Sequence, residues 1–194
     1  MKKKLHELAR ELKDILSPHG FSRKSSTWRR DNGWCIDIIE LQISKIGGSF
    51  TVNVGVATKN VWTTVWGKEF PAAPRAAHGT VESRLAYSAG SPRDVWWKTD
   101  DENWLAEASG FIQTGALPFI ERMHDRREQR RFLLERVTRT RDPFTTACIA
   151  VLMVEDGERE EGCALLRDFK PRGEGEGWAE WRSEVLARMG CPKV

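Results

Sequence analysis

The sequence predicts an α+β fold: an antiparallel sheet of about four strands with helices packed on one face, followed by a C-terminal α-helical bundle. Three observations carry this. Residues 41–44 and 49–52 alternate apolar and polar side chains around Lys45-Ile46-Gly47-Gly48, the composition of a hairpin loop. Residues 3–16 repeat leucine or isoleucine at helical spacing. Past residue 142 the apolar residues again recur every three or four positions.

Taken in order, the first helix covers residues 3–16, with Leu5, Leu8, Leu12, Ile15 and Leu16 on one stripe and Ser17-Pro18-His19-Gly20 stopping it. Three strands follow between residues 21 and 57. Asp31-Asn32-Gly33 suits a three-residue loop, which sets Trp28 against Ile36 and Arg30 against Trp34. The second hairpin sets Ile43 against Phe50, Leu41 against Val52 and Ile39 against Val54. Its other face pairs Ser44 with Ser49, Gln42 with Thr51 and Glu40 with Asn53. Every pair matches in polarity, and a slip of one residue destroys the match, so the register is specified. Between the hairpins the apolar phase changes parity, from Trp34, Ile36 and Ile38 to Ile39, Leu41 and Ile43. That calls for a bulge near Ile38 and Ile39 or for a strand covered on both sides; the polar Glu40, Gln42 and Ser44 favour the bulge.

Residues 58–80 read as a long loop with short pieces, because Pro71-Ala72-Ala73-Pro74 and Gly79 interrupt any period set by Trp62, Val65 and Trp66. Val81, Ser83, Leu85 and Tyr87 alternate as a fourth strand. Asp100 or Asp101 caps a helix through Trp104, Leu105, Ala108, Phe111 and Ile112, which Gly115 and Pro118 kink or divide. Residues 1–123 therefore form the sheet domain. Residues 124–142 are a charged helix or hinge, and residues 143–194 a helical appendage. Asp142-Pro143 opens the first helix of the appendage, with the stripe Phe144, Ala147, Cys148 and Val151. Glu155-Asp156-Gly157 turns into a helix bearing Ala164, Leu165 and Phe169. A last helix with Trp178, Trp181, Val185, Leu186 and Met189 closes at Gly190.

A net charge of +3 and a pI near 8.7 are too mild to imply nucleic acid, whose binding domains more often exceed about 9. Four cysteines, Cys35, Cys148, Cys163 and Cys191, show no paired spacing, against a disulfide framework or a zinc site. The basic start of the chain has no apolar signal core, and no run approaches membrane length. The expectation is a soluble cytoplasmic protein with reduced thiols. His6, His19, His78 and His124 show no metal-ligand spacing, and no nucleophile elbow, phosphate loop or dinucleotide fingerprint appears. No metal, no cofactor and no catalytic set is expected.

The run Gly20-Phe21-Ser22-Arg23-Lys24, then Thr27-Trp28-Arg29-Arg30, Leu41-Gln42-Ile43-Ser44 and Phe50-Thr51-Val52-Asn53-Val54-Gly55-Val56 resembles the bacterial domain of unknown function 4304 family. Arg84, Trp96-Trp97 and Ala116-Leu117-Pro118-Phe119 extend the resemblance over the front two-thirds of the chain. The resemblance implies the architecture and no assigned activity. By analogy alone, small bacterial families of this kind include accessory proteins and antidotes of toxins.

The candidate binding surface is the polar stripe Glu40, Gln42, Thr51 and Asn53, with Arg84 nearby and Trp97 or Trp34 framing it. It suits a peptide or a small polar ligand, or else Glu40 and Arg84 pair beneath a loop and the amides serve loop backbone. A second candidate is the arginine cluster Arg126, Arg127, Arg130 and Arg131, which either contacts phosphates or is neutralised by the acids between residues 155 and 161. The expected role is non-enzymatic binding of another protein. A small-ligand binder or enzyme on the sheet face, and a nucleic-acid accessory protein through the arginine helix, are the alternatives.

Overall fold

The computed structural model describes residues 2–85, 94–171 and 177–192. The chain forms two compact units, Met1–Ala57 with Ala73–Met123, and Thr58–Ala72 with His124–Val194.

The first unit begins with helix α1, Lys2–Leu16, whose Leu8, Leu12 and Leu16 are fully buried. Six antiparallel strands follow: β1 (Ser22–Lys24), β2 (Thr27–Asp31), β3 (Cys35–Ile43), β4 (Ser49–Thr58), β5 (Val81–Arg84) and β6 (Trp97–Lys98). Their order is β1-β2-β3-β4-β5, and β6 pairs with β4 beside β5. Two short strands, β1 and β6, thus add to the four expected. Of the expected fourth strand, Tyr87 lies outside the described residues.

The β3–β4 hairpin closes where it was expected to, with the Ser44 N–H donating to the Ser49 carbonyl at 3.0 Å. The first hairpin does not. Thr27 pairs with Glu40, Trp28 with Ile39, Arg30 with Asp37 and Asp31 with Ile36, a shift of three residues from the expected register. The loop is shorter than three residues: Asn32 N–H donates to Cys35 O at 3.0 Å, and Trp34 N–H donates back to Asn32 O at 3.0 Å. The latter bond closes a γ-turn on Gly33, whose φ is +80°. The observed register sets Arg30 across from Asp37. Arg30 Nε lies 2.7 Å from the fully buried Asp37 carboxylate, Nη2 lies 2.6 Å from Glu121, and the guanidinium covers the Phe21 ring at 4.9 Å. Removing the partner of a buried carboxylate costs about 3–5 kcal/mol, so a register that parts Arg30 from Asp37 is disfavoured.

The expected bulge is also absent. The β2–β3 ladder runs unbroken from Asp31/Ile36 to Thr27/Glu40, and Leu41 N–H continues it to Ser26 O at 2.9 Å. Every β3 residue from Cys35 to Leu41 is buried. β3 is a central strand covered on both sides, which is why its apolar pattern ignores parity.

By register, one face of the sheet carries Ile39, Leu41, Phe50, Val52, Val54, Val56, Val81 and Trp97. Helix α3 (Trp104–Phe111) seals it. Phe50 stacks on Trp97 at 5.6 Å, Trp104 meets Phe50 edge-on at 5.7 Å, and Phe111 meets Trp97 edge-on at 5.6 Å. The expected division near Gly115 and Pro118 is a π-helical segment, Ile112–Ala116, leading into helix α4, Leu117–Arg122. Pro118 has no N–H to continue the ladder and its ring crowds the carbonyl four residues back, so the turn widens there.

The second unit is helical. Of residues 58–80, expected as a long loop with short pieces, the first piece is a two-turn helix: Lys59–Trp66 is helix α2, with Val61 and Val65 buried. Helix α5 (Arg126–Thr140) starts on an Asp125 cap, and helix α6 (Pro143–Glu155) on an Asp142 cap that accepts from Thr145 N–H at 2.7 Å. Thr145 to Leu152 are all buried, so α6 is the core helix of this unit. Helix α7 (Arg159–Asp168) and helix α8 (Trp178–Arg188) complete it. Cys163 and Cys191 are joined by a disulfide, with Cα atoms 5.8 Å apart, which overturns the expectation of reduced thiols for that pair. Among the described residues, no helix is long and apolar enough to cross a membrane.

Candidate functional site

The register places Glu40, Gln42, Thr51, Asn53 and Arg84 on the sheet face opposite Phe50, with Asn53 directly paired to Arg84. Five of the six expected residues therefore share a surface. Trp97 does not. It faces the core, 3% exposed and stacked on Phe50, because its pairing with Phe50 fixes the opposite parity. Trp34 sits in the β2–β3 turn. The aromatic ring that frames the polar stripe is Trp96, whose face lies 5.2 Å from the Arg84 guanidinium.

Much of this face is covered by the chain itself. Residues 73–80, including a short 3-10 turn at Ala76–His78, lie over Glu40. Glu40 is 4% exposed; it accepts from Arg75 Nε at 2.7 Å and from the Ala76 N–H at 3.0 Å. Beside it, Arg29 Nε donates to Pro74 O at 2.6 Å. Burial lowers the Arg29 pKa, and the nearby Glu40 carboxylate opposes that shift. Gly55 completes the seat, since a Cβ there would stand 3.1 Å from Ala76 O and 3.3 Å from Val81 O. A glycine inside a strand marks such a close backbone approach. Gly55 and the Pro71/Pro74 pair were thus a legible signal for this contact, while Arg29, Arg75 and Ala76 carried none.

The remaining stripe is less committed. Asn53 Nδ2 donates to Gln42 Oε1 at 3.0 Å; Asn53 and Thr51 are buried, whereas Gln42 is exposed. Arg84 Nε lies 3.8 Å from Asp94, and its buried Nη1 has no hydrogen-bond partner among the described residues. What stays exposed here is an amide and part of a guanidinium, which is a hydrogen-bonding edge. Glu40 acts as an acceptor for two internal donors, so proton transfer through it requires residues 73–80 to lift away.

The arginine cluster in the second unit is neutralised within that unit. Arg130 forms a forked pair with Glu158 at 2.7 and 2.8 Å and reaches Asp156 at 3.3 Å; Arg126 lies 3.3 Å from Glu155. Arg131 pairs with Glu128 at 2.5 Å, and Arg127 is exposed. The Glu158 hydrogen bonds raise the Arg130 pKa, and the same bonds hold the Glu158 carboxyl below the usual carboxylate range.

At the hairpin end of β3 and β4 two aliphatic side chains stand exposed. Ile46 at the hairpin tip is 97% exposed and Ile43 is 42% exposed, although Ile43 stands across from Phe50. The tip is anchored from one side by Thr99, whose N–H donates to Gly48 O at 3.0 Å.

Residues 12–122 match the family model described as Domain of unknown function (DUF4304). No curated protein and no solved structure matches the chain.

Proposed function

From the premise that the chain belongs to the DUF4304 family, we propose that it is a non-enzymatic, protein-binding accessory or antidote-type factor of the bacterial cytoplasm. The observation that carries this reading is the exposure of Ile46 and Ile43 on one hairpin end of the sheet. An aliphatic side chain held almost wholly in water by an ordered hairpin gains its burial energy only on a partner, about 1.5–3 kcal/mol per large residue. The commitment of Glu40 to Arg75 and Ala76 supports binding over acid–base chemistry on the sheet face. The pairing of Arg126, Arg130 and Arg131 with carboxylates likewise weighs against a phosphate backbone as the partner.

The test is affinity capture from cells of the source organism with the wild-type chain and with an Ile43→Ser/Ile46→Ser double variant. The reading expects a protein retained by the wild type and lost by the variant, at unchanged thermal stability. Retention of that protein by the double variant, or no protein retained above background, overturns it.

A further inference from the structure

Helix α8 is held in the second unit by a thin set of contacts. Within the helix only Val185 is buried, and Met189 follows just past its end. Its other ties are the edge-on contact of Trp178 with Phe169 at 5.9 Å and a set of guanidinium-to-carbonyl bonds. Arg188 Nε donates to Thr64 O at 2.6 Å and Arg182 Nη1 to Arg167 O at 3.0 Å. From α7, Arg159 Nη1 donates to Met189 O at 2.7 Å and Gly190 O at 3.1 Å. Two of these bonds are part-buried and two are exposed, and each exchanges for a bond to water when α8 opens, so its net contribution is a fraction of its gross strength. The Cys163–Cys191 disulfide is the one covalent tie, and it closes the chain around α8 over a separation of 28 residues.

We infer that Cys163–Cys191 is a reversible thiol–disulfide exchange site that latches α8 to α7, with a dithiol reductant as its co-reactant. The two sulfurs differ in access. Cys163 is 2% exposed on α7, whereas Cys191 is half-buried in the segment after α8. A thiolate of the dithiol therefore attacks Cys191 Sγ. A mixed disulfide forms there, the Cys163–Cys191 bond breaks, and Cys163 leaves as a thiolate that takes up a proton. The second thiol of the reductant then attacks its own sulfur in the mixed disulfide, releasing Cys191 as a thiol and the reductant as a cyclic disulfide. Two electrons and two protons pass from the dithiol to the protein. Arg159 stands one helical turn before Cys163, and its guanidinium is held at the carbonyl of Gly190, next to Cys191.

Without the bond, the remaining ties leave α8 free to detach while α6, buried along its length, stays folded. The loop-closure relation for 28 residues puts the gain in α8 opening on the order of a few hundredfold. The experiment is amide hydrogen exchange by mass spectrometry on the full chain, first oxidised with glutathione disulfide, then reduced with dithiothreitol. Peptides over residues 178–190 are expected to exchange on the order of a few hundredfold faster after reduction, with α6 peptides unchanged and protection restored on re-oxidation. The Cys191→Ser variant, which alters the more accessible sulfur, is expected to match the reduced protein in either buffer. Equal exchange in both states overturns the inference. So does joint loss of α6 protection, which makes the bond a staple of the whole unit, or a mass showing that glutathione disulfide leaves both thiols unpaired.

Discussion

Truncating Glu40 separates two kinds of bond that meet on one carboxylate. Its partner Arg75 has a side chain 67% exposed, while the Ala76 N–H lies under the chain with Ala76 1% exposed. Losing the ion pair to an exposed arginine costs about 0–1 kcal/mol, since water and side-chain entropy already discount it. Leaving a buried N–H without an acceptor costs about 1–3 kcal/mol more. Glu40→Ala loses both and is expected to destabilise by about 1–4 kcal/mol. Glu40→Gln keeps an acceptor for Ala76 and is expected to cost about 1–2 kcal/mol, and Arg75→Ala under about 1 kcal/mol. At roughly 2–4 °C per kcal/mol for a chain of this size, Glu40→Ala lowers Tm by about 2–16 °C. Differential scanning calorimetry of the three variants reads the order. Should Arg75→Ala fall as far as Glu40→Ala, the ion pair rather than the backbone bond holds residues 73–80, and the reasoning is refuted.

Two glycine substitutions are expected to move in opposite directions: Gly55→Ala drives a Cβ to 3.1 Å from Ala76 O and destabilises by about 1–3 kcal/mol, while Gly110→Ala, with open space inside α3, stabilises by about 0.5–1 kcal/mol. Urea unfolding gives both signs, and a neutral Gly55→Ala contradicts the seat described for Ala76. Burial first, and then Asp37, push the Cys35 thiol up to about 12. A thiol raised in the folded state contributes stability that is complete below the unfolded thiol pKa and fades as pH rises from there toward 12. Alkylation at pH 8.5 is accordingly expected to spare Cys35 in the folded chain and to reach it on unfolding; modification at native rates in buffer speaks against it. Glu158, held low by Arg130, is expected to titrate below an ordinary glutamate in carboxyl-detected NMR and to return toward it in Arg130→Gln. Its stabilising share is present above the unfolded carboxylate pKa and is lost as pH falls through the lower folded value.

The parts of the fold that followed from sequence are those where polarity alone decides. Gln42 and Thr51 fall on one face and Leu41 and Val52 on the other, so the β3–β4 pairing had one solution. The β2–β3 register was illegible to the same criterion, because Arg30 and Asp37 meet as opposite charges, the carboxylate fully buried, and matching by polarity does not seek such a pair. Helix α2 was hidden by its flank: Val61/Val65 and Trp62/Trp66 keep helical spacing, but the prolines at 71 and 74 drew the whole stretch into a loop. The disulfide joins cysteines 28 residues apart, a spacing that carries no motif. Of the candidate surface, the stripe was readable from alternation. Of its cover only Gly55 and the Pro71/Pro74 pair left a trace, since Arg75 and Ala76 reach Glu40 across 35 and 36 residues of chain.

The claim on which the rest depends is that the sheet's acidic centre is occupied by the protein's own backbone. Amide exchange at Ala76, followed residue by residue in the wild-type chain by NMR, tests it most directly. Protection of Ala76 comparable to that of the central strand β3 is the predicted result; exchange at the rate of an unstructured peptide contradicts it.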